Sequence, residues 1–317
     1  MTTVTRRAAH VARRGLGGLA VLWAAATIAY AALLLAPGDT VDAIIGDGLD
    51  TPRIRAEIIA EWGLDRPEIV QYLDYLGRLL HGDLGRSYLL QRGVGEVLAS
   101  QLPSTAALAV AAALTGVTLA LALALVTAGR RTAFRSRLRA LTGTAELVAV
   151  SVPPFLIGIV LLSVFSFRLG WFPVAGDRGL ASLVLPALAL GIPVAGVLGQ
   201  VLREGLERAV EEPFALTARS RGITERALVA RHALRHALLP AVTLTGWFTG
   251  LLLGGAVIVE AVYGRPGIGQ IAVQAVDSRD MPVVMAVILF SAVVYVVVSS
   301  LVDLAYLVVD PRLRESR

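Results

Sequence analysis

The sequence predicts an all-α polytopic membrane bundle of six transmembrane helices with both termini in the cytoplasm, and three observations carry that prediction. Apolar residues make up 56% and charged residues 17% of the 317, which is more apolar surface than one soluble core of that length buries. Six windows carry no charge, at 15–38, 97–129, 147–167, 179–202, 237–259 and 281–302, and a helix needs about 20 residues to cross the hydrocarbon of a bilayer. Arginine, finally, gathers in alternate connections, the pattern that sets orientation in a membrane.

Taken in order, the first window follows Arg6, Arg7, Arg13 and Arg14. Its apolar stretch is longer than the roughly 7–15 residues of a signal peptide's hydrophobic region, so 15–36 reads as an uncleaved first span behind a cytoplasmic 1–14. The segment 37–102 has six Arg against eleven Asp plus Glu and reads as an extracytoplasmic insertion. Short helices are expected there at 52–62, 67–80 and 94–101, punctuated by Gly82, Gly85 and Gly93. The other five windows form a core transmembrane domain over 103–309, in which Pro153, Pro154, Pro186 and Pro193 are tolerated because neighbouring helices satisfy the freed backbone groups. Arg130, Arg131, Arg135, Arg137 and Arg139 follow the second window, and seven arginines lie between 203 and 235. Arg312, Arg314 and Arg317 close a cytoplasmic 310–317, while the connections near 178 and 265–280 carry only three Arg.

Composition also excludes chemistry. All 29 basic residues are Arg, so there is no lysine for a phosphate-binding loop or a Schiff base. There is no Cys, hence no disulfide, thiolate metal site or cysteine nucleophile. The net charge of +5 lies mostly beside apolar runs, which points to a lipid bilayer and not to nucleic acid. Of the four His only His232 and His236 stand at an i, i+4 spacing, and with no third ligand near them neither a metal nor a cofactor is expected.

Three features bear on function. Residues 211–240, EEPFALTARSRGITERALVARHALRHALLP, form a charged stretch between two uncharged windows. Pro213 occupies a first-turn position, Gly222 is a helix stop, and Thr224 restarts a helix that runs to Pro240. Phe214, Ala215, Leu216 and Ala218 beside Arg219 and Arg221 make a small mixed surface suited to a groove on another protein. A solvated basic loop is the plainer reading of the same composition. Second, Gly246, Gly250 and Gly254 repeat at spacing four, followed by Gly255, which reads as helix packing within the chain or against a second copy or sister subunit. Third, Glu146, Arg168, Glu260 and Asp303 fall at the rims of windows. That placement counts against an ion-coupled secondary carrier, the alternative of a different class.

The residues resemble a known family across nearly the whole chain. In order they are APGD at 36–39, WGLDRPEIVQYLDYL at 62–76, HGDLGRSY at 81–88, TARSRGITERALVARHALRHALLP at 217–240, LLGGAVIVEAVYGRPGIGQ at 252–270, RDMPVV at 279–284 and DLAYLVVDPRLR at 303–314. These are similar to the permeases of binding-protein-dependent ABC importers in the dipeptide, oligopeptide and nickel branch. The resemblance implies a type I importer permease of the bacterial cytoplasmic membrane, without an ATPase site of its own, moving short peptides by alternating access. Nickel or a metal chelate is the alternative cargo. It implies as partners a second homologous permease, two ABC ATPase subunits and an extracytoplasmic solute-binding protein that meets 38–102. It also implies that 211–240 is the segment coupled to the ATPase. Ala218, Arg219 and Gly222 fall on the core of that motif, and Glu212, Phe214, Arg221, His232, Arg235 and Pro240 flank it. Ser220, Arg221 and His236 stand where the family often has Ala, Lys and Asn, and Leu216 where a basic residue is common.

Overall fold

A computed structural model describes residues 3–35, 40–45, 50–128 and 133–309. Within these, side chains are described from Arg13 to Val302, save at Thr40, Ala43, Glu61, Leu239, Thr245 and Gly246. The APGD stretch, Arg130, Arg131 and the 310–317 tail lie outside the described residues, as do the side chains of Arg6, Arg7 and Asp303. Among the described residues the regular structure is helical, apart from an isolated bridge between Arg86 and Gly93.

Along the chain, α1 (Thr3–Leu35), α2 (Thr40–Ile45), α3 (Pro52–Trp62) and α4 (Glu68–Leu80) precede α5 (Val94–Thr127) and α6 (Ala133–Ser151). Next come α7 (Pro154–Leu161), which widens into a π-helical stretch at Leu162–Arg168, α8 (Ala181–Glu211) and α9 (Pro213–Ser220). Then α10 (Glu225–Ala227), a second π-helical stretch (Leu228–Ala233) and α11 (Leu234–Thr243) follow without a break, before α12 (Thr245–Val262), α13 (Ile268–Asp277) and α14 (Met281–Val309).

Among the described residues four helices are unbroken and apolar over the thickness of a bilayer: Arg13–Leu35, Val94–Thr127, Ala181–Glu211 and Met281–Val302. The other two expected crossings are bent pairs, and six crossings result when each pair counts as one. The expected single span 147–167 is in fact α6 followed by α7 at 104° to it. Two successive prolines remove two N–H donors, and the residue before a proline is driven out of the helical region. Pro153 accordingly adopts ψ 140°, and α7 restarts with Pro154 in its first turn.

Two further boundaries differ from the sequence reading. The separate helix expected at 94–101 is the first part of α5, which has 34 residues and continues through Pro103. At 1.5 Å per residue it is about 51 Å long, well beyond the ~30 Å of hydrocarbon. The connection expected over 265–280 contains α13, whose Ile268, Gly269 and Ala275 are buried.

The chain gathers into two compact units. One comprises residues 1–103 and 267–297. In it Tyr30 of α1 stacks on Tyr75 of α4 at 5.8 Å, and Thr27 and Tyr72 share a 2.7 Å hydrogen bond. Val94 and Leu98 pack with Ile268, Ala275, Val283, Ala286 and Val287. The other unit comprises residues 104–266 and 298–309. It is built around α8: 67% of that helix's apolar window is buried, against 17–22% in the other unbroken spans. Close approach explains the density. A Cβ on Gly191 would meet Ala112 O at 2.9 Å, on Gly196 would meet Glu146 O at 2.9 Å, and on Gly205 would meet Ala237 at 2.9 Å. Glycine at three positions along α8 therefore lets α5, α6 and α11 pack at backbone distance.

Candidate functional site

The bend between α8 and α10 is held by local chemistry. Glu212 is extended (φ −67°, ψ 152°), which ends α8 and turns the chain into α9 behind Pro213. At the far end of α9, Gly222 sits in the left-handed region with φ +79°. Its N–H donates to Arg219 O (3.0 Å), and the Ile223 N–H donates to Ala218 O (3.1 Å). That is the double bond pattern of a Schellman stop, completed by apolar contact of Ile223 with Ala218 in a small core that also holds Ala215, Leu228 and Phe214. Thr224 then caps the next helix by accepting from the Ala227 N–H (3.4 Å).

Arg219 fastens the bend. Its Nε donates to Glu225 Oε1 (2.7 Å), a second nitrogen to Oε2 (3.4 Å) and a third to Val210 O (3.2 Å). One side chain thus ties α8, α9 and α10, and the hydrogen bond to Glu225 raises its pKa further, so the guanidinium stays charged. Phe214 stacks on His236 at 5.1 Å. The six sequence-selected residues of the bend therefore divide. Phe214, Ala218 and Arg219 turn inward and shape it, whereas Glu212, Arg221 and Gly222 are exposed. Leu216 is 71% exposed and supplies the apolar part of the outer face.

The last turns of α8 are gripped by α6. Glu146 is 2% exposed and accepts from Arg203 at 2.6 Å. Arg139 approaches Glu207 at 3.5 Å and donates from Nε to Thr127 O (3.0 Å), while Arg135 donates to Ala128 O. Room for the buried pair comes from glycine, since a Cβ on Gly199 would lie 2.9 Å from Glu146 Oε1. In the sequence these arginines count only as orientation charge. Arg203 and Glu207 share one face of α8 at i, i+4 spacing, and Arg139 and Glu146 share one face of α6 at i, i+7. Opposite charges repeated on one face of each helix are the signal that could have paired them.

A second tie joins two motifs 193 residues apart. Asp280 is 2% exposed and accepts from the Ser87 hydroxyl and from the N–H groups of Tyr88 (3.1 Å) and Leu89 (3.2 Å). Arg279, at φ +56°, makes the turn that presents it. Trp62 meets Tyr88 edge-on at 4.9 Å, so a third motif reaches the same loop.

Of the remaining expected residues, Glu260 is fully buried and accepts from Thr105 at 2.7 Å, and Arg168 is exposed. Gly250 and Gly254 face open space, with no described atom within 4 Å of a built Cβ, and the surroundings of Gly246 lie outside the described residues. The packing glycine of α12 inside the chain is Gly255, where a Cβ would lie 2.7 Å from Leu190.

Residues 116–315 match the sequence profile of a family described as binding-protein-dependent transport system inner membrane component. A Brucella abortus protein, provisionally named as a peptide transport system permease, is 36% identical over 316 aligned positions, covering 96% of this chain and 99% of the relative. A Brucella suis relative with the same provisional name is 36% identical over 313 positions, covering 96% and 98%. The glutathione transport system permease of Salmonella typhimurium is 33% identical over 305 positions, covering 96% and 98%.

Proposed function

Because the chain belongs to the family of inner membrane components of binding-protein-dependent transport systems, we propose that its cargo is a short peptide, driven inward by ATP hydrolysis in partner chains. The permease role and the need for an ATPase and a binding protein follow from the family. The cargo rests on one observation: end-to-end similarity to permeases named for peptides and for glutathione, itself a peptide. That favours peptides over nickel or a chelate.

In this reading the bend at 211–240 is the coupling segment, with Glu212, Phe214, Ala218, Arg219, Arg221 and Gly222 as its working residues. Leu216 and Arg221 face a groove on the ATPase, and Arg219 keeps the bend stiff. A stiff bend is what the role needs, because a lever transmits displacement only if it does not flex at its own corner. Two ATPases and a second, similar permease complete the machine, and the open Gly250 and Gly254 face of α12 is offered to that second permease. The arginine distribution supports a topology with both termini and the bend in the cytoplasm and 37–102 outside, where it would meet the binding protein. ATP-driven closure then presses the bends together and the spans open outward to take the delivered solute.

The test is uptake of labelled di- and tripeptides, with and without nickel, in cells lacking this chain and in complemented cells. Peptide uptake should require the chain. Uptake restored only for nickel would reassign the cargo, and failure of mild detergent extracts to bring down a P-loop ATPase would remove the coupling role.

A further inference from the structure

The unit that contains α4 holds a cleft of about 750 Å³, lined mostly by residues 60–88. Its volume lies in the roughly 300–1,000 Å³ range of small-ligand sites. Trp62 and Tyr88, packed edge to face, form part of its wall. Arg66 and Asp74, also in the lining, neutralise each other at 2.9 Å. Arg86 is engaged with Gln91 O at 3.0 Å.

Two groups in the lining are different. Tyr75 is 6% exposed, and its hydroxyl finds no hydrogen-bond partner among the described residues. A buried hydroxyl left without a partner is costly, so such a group calls for an explanation. Arg78, about one turn of helix along the same α4, is exposed and lines the cleft. Its charge reaches both phenols. Burial lifts the pKa of Tyr75, and Arg78 opposes the lift. Burial and then Asp280 push Tyr88 up to about 12, again against Arg78. Both phenols accordingly remain protonated donors at neutral pH.

A guanidinium with a forked set of donors, lining the same cleft as a phenol that lacks an acceptor and three residues from it on α4, is a combination a carboxylate satisfies. The aromatic wall offers an apolar platform next to it, and Asp83 adds a negative group to the lining, so the cleft carries both signs of charge as a zwitterion requires. We propose that this cleft receives the C-terminal carboxylate of a short peptide, with Arg78 as counter-charge and Tyr75 as hydrogen-bond donor. The inference rests on the peptide reading above and gives it a station on the permease itself, apart from the binding protein.

The experiment is calorimetric titration of the assembled transporter in nanodiscs, without binding protein, using alanyl-phenylalanine and its C-terminal amide. A charge-assisted contact of about 1.5–3 kcal/mol corresponds to a preference of roughly 10- to 100-fold for the acid. Arg78→Gln and Tyr75→Phe should each reduce that preference to about threefold or less. Tyr75→Phe should leave the thermal unfolding midpoint unchanged or higher, because it deletes an unpaired hydroxyl. Equal affinity for acid and amide, undetectable binding, or a preference that survives both substitutions overturns the proposal. So does a result in which the substitutions weaken only association with the binding protein, since the cleft would then be a docking contact. Peptide uptake in complemented cells separates the two levels: intact, chain-dependent uptake with no acid preference removes the cleft alone, whereas chain-independent uptake removes the peptide reading.

Discussion

Gly222 gives the sharpest test of the bend. It holds φ +79° where α9 stops, and a Cβ added there would meet nothing within 4 Å, so substitutions act through backbone conformation and not through collision. An L residue in the left-handed region costs roughly 1–2 kcal/mol, with a smaller penalty for asparagine because its side chain bonds locally. A penalty of about 1–2 kcal/mol lowers the population of the bent form about 5- to 30-fold relative to glycine. Proline goes further. It fixes φ near −65°, removes the N–H that donates to Arg219 O, and pushes Arg221 away from its φ −83°, ψ 4°. Together these exceed about 3 kcal/mol. Peptide uptake and peptide-stimulated ATP hydrolysis in proteoliposomes should therefore fall in the order Gly, Asn, Val, Pro, with Gly222→Pro inactive yet inserted in the membrane. Equal transport by Gly222→Asn and Gly222→Pro would refute the reasoning, because it would show that the left-handed stop has no part in coupling.

Three further perturbations follow from the geometry. Arg203→Ala leaves the Glu146 carboxylate buried without its ion-pair partner and should cost about 3 kcal/mol in thermal or denaturant stability; adding Glu146→Gln should recover most of it, and no recovery would mean that the pair is not what holds α6 to α8. Asp280→Asn removes the charged acceptor shared by the Ser87 hydroxyl and two backbone N–H groups, so the amides of Tyr88 and Leu89 should exchange hydrogen about tenfold faster or more. Gly255→Val drives a side chain into Leu190 and should cost about 1–3 kcal/mol of stability in the detergent-solubilised chain, whereas Gly250→Ala should be silent there and show itself only in assembly with a sister subunit.

What the sequence alone determined is whatever depends on residues close together in the chain. Hydropathy and charge are summed over windows of about 20 residues, so the membrane class and the all-helical architecture were legible in composition. The stop at Gly222 and the restart at Thr224 were legible for the same reason, since cap and turn chemistry is local. The tertiary structure decided what depends on distant partners. Pro153 and Pro154 looked tolerable within one window, but the chain bends there by 104°. Gly250 and Gly254 have the spacing of a packing stripe yet face open space, while Gly191, Gly196 and Gly205 of α8, with no such repeat, meet neighbouring helices. Arg219 read as a surface charge and proves to be an internal tie to Glu225 and Val210. Asp280 meets Ser87 across 193 residues. A side chain's role is set by what lies within about 4 Å of it, and no window along a chain contains the atoms that folding brings there.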